Sequence, residues 1–260
     1  MEMPDFLNRS SVLLGDEGYE WLNNSTVSIA GLGGVGGLAF LTLVRSGVKK
    51  FRLAENGIFD PPDMNRQALA FNQTMDKRKL DVYIRYALDI NPQLEIVDYP
   101  DGITLDNIDE IMDGCDVFMR AVDKEAPQDV KEKSADLIDK YNVPMFQVFT
   151  TGPSALMYNS EPRGMKPEHF WNHLLVNYSK VTQYLGTPLM RERVDQVFDT
   201  GTLSSLAVGA NIASLLIASE ILLYILRDTD LVDRSVVYTP KFTVLNPFDM
   251  KMTTLDVTQL

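Results

Sequence analysis

The feature that most restricts this chain is the junction where a short apolar run, Val27-Ser-Ile-Ala30, enters Gly31-Leu-Gly-Gly-Val-Gly36 and then a helical pattern. A strand that ends in glycines and passes straight into a helix commits the chain to a strand–turn–helix unit. Gly31 permits a tight turn out of the strand, Gly33 lets the backbone approach a phosphate, and Gly36 allows close helix–strand packing. The exposed N–H groups and helix dipole at 34–37, which include Gly34, favour an anion. The glycines alone suit a dinucleotide equally well.

The segments that follow repeat the same alternation. Strands are expected at 27–30, 51–54, 94–98, 117–122 and 143–149, and helices at 35–45, 75–90, 105–112 and 130–140. Gly47 and Asn91-Pro92 supply two of the helix stops. This spacing implies a mainly parallel sheet with right-handed crossovers. The alternation stops near Thr150, and 151–200 reads as a loop-rich insertion with short helices, one at 167–176. A long apolar helix at 206–226 follows, and 236–238 with 241–245 alternates like an antiparallel hairpin. The expected class is therefore α/β: a Rossmann-like, mainly parallel sheet over 1–150, with a C-terminal cap over 151–260 that contains the apolar helix and the hairpin.

Composition narrows the possible partners. With 24 basic against 36 acidic residues the net charge is −12, which argues against a nucleic-acid partner gripped by its phosphates. A single cysteine, Cys115, excludes a disulfide framework or a four-cysteine zinc site within one chain. A reducing cytoplasm fits, and Met-Glu-Met-Pro-Asp lacks the basic and apolar regions of a signal peptide. The 206–226 run is long enough to cross a bilayer. Asn211 and Glu220 would be costly in lipid, and Ala207, Gly209, Ala210, Ala213 and Ala218 suit close packing. A buried helix, at the core or a subunit interface, is expected rather than a membrane span.

The residues after the second strand separate redox chemistry from phosphate chemistry. Glu55 lies 19 positions beyond Gly36, where an acidic side chain usually takes ribose hydroxyls. A nicotinamide site has no need of Arg66 and Lys79 arriving just past that strand. A site that cleaves a triphosphate does, because charge on the leaving pyrophosphate must be neutralised. Taken singly, Arg66 suits a surface cation, and Lys79, in Lys77-Arg-Lys79, suits a solvated face. Together with Gln67 and the glycines they favour a polyphosphate.

At this point the chain resembles the ThiF/MoeB/HesA family, whose fold is shared with ubiquitin-activating enzymes. Gly31-Leu-Gly-Gly-Val-Gly36, Asn65-Arg-Gln67, Lys79, Ile90-Asn-Pro92 and Asp116-Val-Phe-Met-Arg-Ala-Val-Asp123 occur in that family's order and spacing. Asn8-Arg9 with Leu13-Leu14-Gly15 resembles its N-terminal segment. The resemblance, over residues 6 to about 150, implies an ATP-dependent adenylyltransferase that activates a carboxylate as an acyl-adenylate. It implies that the glycine loop holds ATP, Glu55 binds the ribose, Arg66 and Lys79 contact phosphates, Asn65 and Gln67 support the pocket, and Asp123 holds Mg²⁺. It also implies a homodimer in which Arg9 reaches the neighbouring subunit's site. The expected substrate is the C-terminal carboxylate of a small ubiquitin-like or sulfur-carrier protein, or of a ribosomally made peptide. Three positions depart from the family's pattern. Glu55-Asn-Gly57 replaces Asp-x-Asp, Asp63 stands where asparagine is common, and Lys124 occupies another frequent asparagine position. The family's paired Cys-x-x-Cys motifs are absent.

Other constellations carry less. Cys115, in Asp113-Gly-Cys-Asp116, has acidic neighbours that raise a thiol pKa, so a structural role is expected rather than a thioester. His169 and His173 share a helix face, but no third ligand has convincing spacing. A helix N-cap before Lys124-Glu-Ala-Pro127 is the lesser alternative for Asp123. The competing functions are a threonylcarbamoyl-tRNA cyclising dehydratase of the same family, a nicotinamide-dependent oxidoreductase, and a nucleotide-binding scaffold without chemistry.

Overall fold

The structure, a computed structural model, describes residues 3–122, 127–190 and 205–260. After an opening helix, α1 (Asn8–Asn24), the chain alternates β1 (Thr26–Ala30), α2 (Gly36–Arg45), β2 (Lys50–Ala54), α3 (Lys79–Ile90), β3 (Glu95–Tyr99), α4 (Ile108–Met112), β4 (Val117–Arg120), α5 (Gln128–Tyr141) and β5 (Met145–Phe146). All five strands pair in parallel in the order β3-β2-β1-β4-β5. β1 is central, and its side chains alternate between two cores. Val27 and Ile29 pack with Phe40 and Val44 of α2, Tyr83 of α3, and Ile217 and Ile221 further along. Ala30, on the other face, joins Ile108 and Ile111 of α4 with Val130 and Ile138 of α5. Ser28 is buried on that face and donates to Ile111 O at 2.6 Å.

Strand order reverses between β1 and β4, because the connections from β1 run one way along the sheet and those from β4 the other. Such a point leaves a crevice at the carboxyl ends of the strands. The glycine loop leaves β1 there.

A second, antiparallel sheet is built from β6 (Val148–Thr151), β7 (Ser154–Met157), β8 (Lys241–Asn246) and β9 (Lys251–Asp256), in that order. Its face packs on α6 (Pro167–Val176), through Phe170 and Leu174 against Leu156, Phe242 and Val244. The short α7 (Tyr178–Thr182) adds Val181 to the same cluster.

The long helix α8 (Ala207–Ile225) lies between α2 on one side and β6 and β7 on the other. Its small residues are used: a Cβ on Gly209 would come 2.4 Å from Gly152 O. It alone among the described helices is long and apolar enough to cross a membrane. Glu220 is 1% exposed and pairs with Arg234, and its other oxygen accepts from Val237 N–H at 3.4 Å. A charged residue satisfied inside the fold, with Ala213, Ile217 and Ile221 fully buried beside it, makes α8 a core helix, as expected.

Three expectations need correction. The helix placed at 75–90 begins four residues later, at Lys79, because Ile58 bridges Arg78 and holds the preceding segment as a turn. The strand placed at 143–149 is split: Met145–Phe146 belongs to the parallel sheet, and Val148 onward turns into the antiparallel one. The hairpin is β8 with β9, whereas Tyr238 makes only an isolated bridge to Asn159. Pro240 lacks an N–H and starts β8 afresh.

Candidate active site

The glycine loop is shaped by close backbone approaches. Gly31 has φ +94°, and a Cβ there would lie 2.5 Å from Ala121 O. Its N–H donates to Ala54 O at 2.8 Å, so the turn is tied to β2. Gly36 is tighter still, since a Cβ would fall 1.9 Å from Gly31 O. Gly33 is different. A Cβ there would clash with nothing and would only touch Gln67 Nε2, at 3.9 Å. From behind, Ser214 of α8 donates to Gly34 O at 3.3 Å. At the start of α2 the Gly37 N–H is already taken by Gly33 O at 3.1 Å, which leaves those of Gly36 and Leu38 for an anion.

Glu55 follows β2 and reaches back. Its Oε2 accepts from Leu32 N–H at 2.5 Å and its Oε1 from Gly57 N–H at 2.6 Å. It therefore braces the glycine loop, a task that sequence spacing does not reveal. An ionised carboxylate has acceptor capacity beyond these two bonds, so a ribose hydroxyl can still be bound.

The cations enter from a 3-10 turn, Pro61–Asn65, which Asp60 and Asp63 close with a reciprocal capping box. Arg66 lays its stem over Gly34: a Cβ on that glycine would lie 3.2 Å from Arg66 Cγ. Its guanidinium donates to Pro62 O at 3.0 Å and to Asn65 Oδ1 at 2.9 Å. Lys79 is the first residue of α3 and donates its N–H to Gly57 O at 2.9 Å. Its Nζ meets Asp63 Oδ2 at 3.0 Å. Asp63, 5% exposed, also accepts from the Gln67 amide and stands 3.8 Å from Arg66. Gln67 Oε1 is buried without a hydrogen-bond donor.

The structure thus brings Gly31, Gly33, Gly34, Gly36, Glu55, Asn65, Arg66, Gln67 and Lys79 to one crevice. Asp123, and the adjoining Lys124, lie outside the described residues, and no group of three or more metal-ligating side chains occurs among the described ones. Arg9 is exposed on α1. Cys115 is buried, and burial pushes its thiol up to about 11, as suits a structural residue. His169 and His173 are both exposed on α6.

Two residues escaped the sequence reading. Asp63 had been noted only as a departure from a family pattern. Arg120, at the end of β4, donates to Lys131 O at 2.9 Å and Ser134 Oγ at 2.7 Å. With the Gln147 amide turned so that its oxygen faces the guanidinium, it donates there too, at 2.7 and 3.0 Å. Burial lowers its pKa. Arg120 therefore clamps the end of β4 to α5 and to the residue before β6. An arginine closing the apolar run Val117-Phe-Met was the available signal.

An α/β fold with a glycine loop at its switch point places the chain in the class of nucleotide-binding folds. The chain belongs to the ThiF family, whose model matches residues 7–259. It is 35% identical over 117 residues to the tRNA threonylcarbamoyladenosine dehydratase of Bacillus subtilis, covering 45% of this chain and 46% of that protein. It is 34% identical over 105 residues to the vegetative HesA protein of Trichormus variabilis, covering 40% of each. Each match thus spans under half the relative's length. Among solved structures, E. coli MccB bound to AMPCPP and MccA superposes with a TM-score of 0.72 at 16% identity, covering 97% of this chain and 71% of that one. The fold is therefore that of MccB.

Proposed function

We propose that the protein is an ATP-dependent adenylyltransferase that activates a carboxylate as an acyl-adenylate. The observation that carries this is that Arg66, whose stem lies over Gly34, and Lys79 share one carboxylate, Asp63, beside a glycine loop where a Cβ on Gly33 would meet only Gln67 Nε2.

In this reading the N–H groups at the start of α2 receive phosphate oxygens, and Glu55 takes the ribose while bracing the loop. A carboxylate oxygen of the substrate attacks the α-phosphorus; the new O–P bond forms as the α–β bridging bond breaks, and its electron pair leaves with pyrophosphate. Arg66 and Lys79 neutralise the charge that builds there. Asp123, three residues beyond β4 in the sequence, would hold Mg²⁺, which prefers one or two carboxylates with phosphate oxygens. Asn65 orients Arg66, and Arg9 would come from the second subunit of a homodimer. The cap would shape the acceptor pocket, and with Cys115 buried the acyl group passes to an external nucleophile without a thioester. The substrate class we favour is the C-terminus of a small carrier protein or of a peptide. MccB, solved with ATP and with MccA, is the structural precedent.

The test is ATP–pyrophosphate exchange across candidate carboxylates. Exchange should appear with the right substrate and fall by about 100-fold or more in Arg66→Ala and in Asp123→Ala. Exchange that survives both substitutions overturns the assignment. The second reading is a threonylcarbamoyl-tRNA dehydratase, favoured by the 35% identity to that Bacillus enzyme. The net charge of −12 opposes it, and gel-shift with total tRNA distinguishes the two.

A further inference from the structure

Three positions around the crevice share out the acid in a way that geometry links. Glu55 bends back over Gly57, so that a Cβ on Gly57 would lie 2.8 Å from Glu55 Oε1 and 3.3 Å from Lys79 Cδ. An acidic side chain at 57 would meet both the Glu55 carboxylate and the Lys79 stem. Lys79 obtains its counter-ion from elsewhere: Asp63, with a side chain only 8% exposed, at 3.0 Å. Among the described residues, the only ion pairs of Arg66 and Lys79 are with this carboxylate. Gln67 donates to it as well.

We propose that Asp63 is a positioning residue that stands in for phosphate, holding Lys79 and Arg66 poised over the glycine loop until a polyphosphate takes them. We further infer that the long Glu55 and the bare Gly57 are its structural complement. The idea rests on the assignment of the crevice as a polyphosphate cradle. Two cations face the incoming anion, and Asp63 returns one negative charge within 4 Å of both. In a part-buried site that charge repels a polyphosphate far more than it would in water. Replacing it with Asn, an uncharged side chain of the same shape, therefore frees Lys79; the Asn oxygen still accepts from Gln67, while its NH2 replaces the oxygen that accepted from Asp60 N–H, which costs the turn one hydrogen bond. Anion affinity should rise even as the fold loses an ion pair. A residue that only supports the fold would do the reverse.

Calorimetric titration of the full chain with inorganic tripolyphosphate, in EDTA at fixed ionic strength, reads this directly. Asp63→Asn should tighten binding by about fivefold or more, whereas Arg66→Ala should weaken it by about tenfold. Returning the acid to the other side of Lys79, in the triple variant Glu55→Asp, Gly57→Asp, Asp63→Asn, should bring affinity back to within about twofold of the parent. If the parent binds, Arg66→Ala weakens it, and Asp63→Asn leaves affinity unchanged or lower, the role of Asp63 is refuted while the cradle stands. If neither the parent nor Asp63→Asn binds tripolyphosphate, the cradle assignment falls and this inference with it. A triple variant that binds as tightly as Asp63→Asn refutes the coupling to positions 55 and 57.

Discussion

Two glycines of the loop should respond to the same substitution in opposite ways. In Gly36→Ala the new methyl would sit 1.9 Å from Gly31 O, inside the 3.0 Å that real Cβ atoms respect, and 3.1 Å from Ala121 Cβ. The obstacle is backbone, so α2 must move away from β1 by about 1 Å or more. Overpacking of this kind costs about 1–3 kcal/mol, and a backbone clash belongs at the top of that range. In Gly33→Ala the methyl meets nothing nearer than Gln67 Nε2 at 3.9 Å. Stability should then change by less than about 0.5 kcal/mol. The methyl would nevertheless fill the space where a phosphate approaches the backbone, and ATP affinity should drop by about tenfold or more. Urea unfolding followed by circular dichroism gives the first quantity, and titration with a fluorescent ATP analogue gives the second. If Gly33→Ala binds nucleotide like the parent, no phosphate lies over that residue, and the use assigned to the loop is wrong. If Gly36→Ala unfolds at the parental urea concentration, the packing argument fails.

Arg234→Ala leaves Glu220 buried in α8 with one long hydrogen bond from Val237. Because the Arg234 side chain is 49% exposed, the loss should be about 2–3 kcal/mol in urea unfolding, short of the 3–5 of a fully buried pair. Burial lifts the Cys115 thiol from its ordinary 9 to about 11, so the folded state keeps a proton that the unfolded chain releases. Its contribution is present below pH 9 and fades between pH 9 and 11, costing up to about 3 kcal/mol by the upper end. Cys115→Ala should flatten the stability profile across that window. In the parent, iodoacetamide should label Cys115 at under about 1% of the rate of a free thiol at pH 8.

The parallel sheet was legible because its strands are short, with β1 and β4 apolar, and are bounded by turn signals, and because Gly47 stops α2 with φ +104°. The long apolar helix was legible from Glu220, since a lone acid in such a run demands a partner. The second sheet was not. Val148–Thr151 follows β5 after a single residue, Gln147, with no glycine or proline between them, and it is the pairing with Ser154–Met157 that separates the two strands. β9, with Thr253 and Thr254 in Lys251–Asp256, has no clear inner face and becomes a strand only beside β8. These are non-local decisions, in which tertiary context overrides weak local preference.

The site divides along the same line. Backbone requirements leave marks in sequence, because only glycine fits at 31 and 36, and cations brought in by a loop are visible as residue types. Counter-ions leave no such mark. Nothing in the spacing from Asp63 to Lys79 says that they touch, since fifteen residues intervene before α3 begins. Glu55 shows the same limit from the other direction. Its position after β2 suggested a ribose ligand, yet its added methylene lets the carboxylate reach the N–H groups of both Leu32 and Gly57. Once Glu55 occupies that space, Gly57 can carry no acid, and the charge that Lys79 requires has to come from across the crevice. Departures that look like separate losses along the chain are, in three dimensions, parts of one rearrangement of charge.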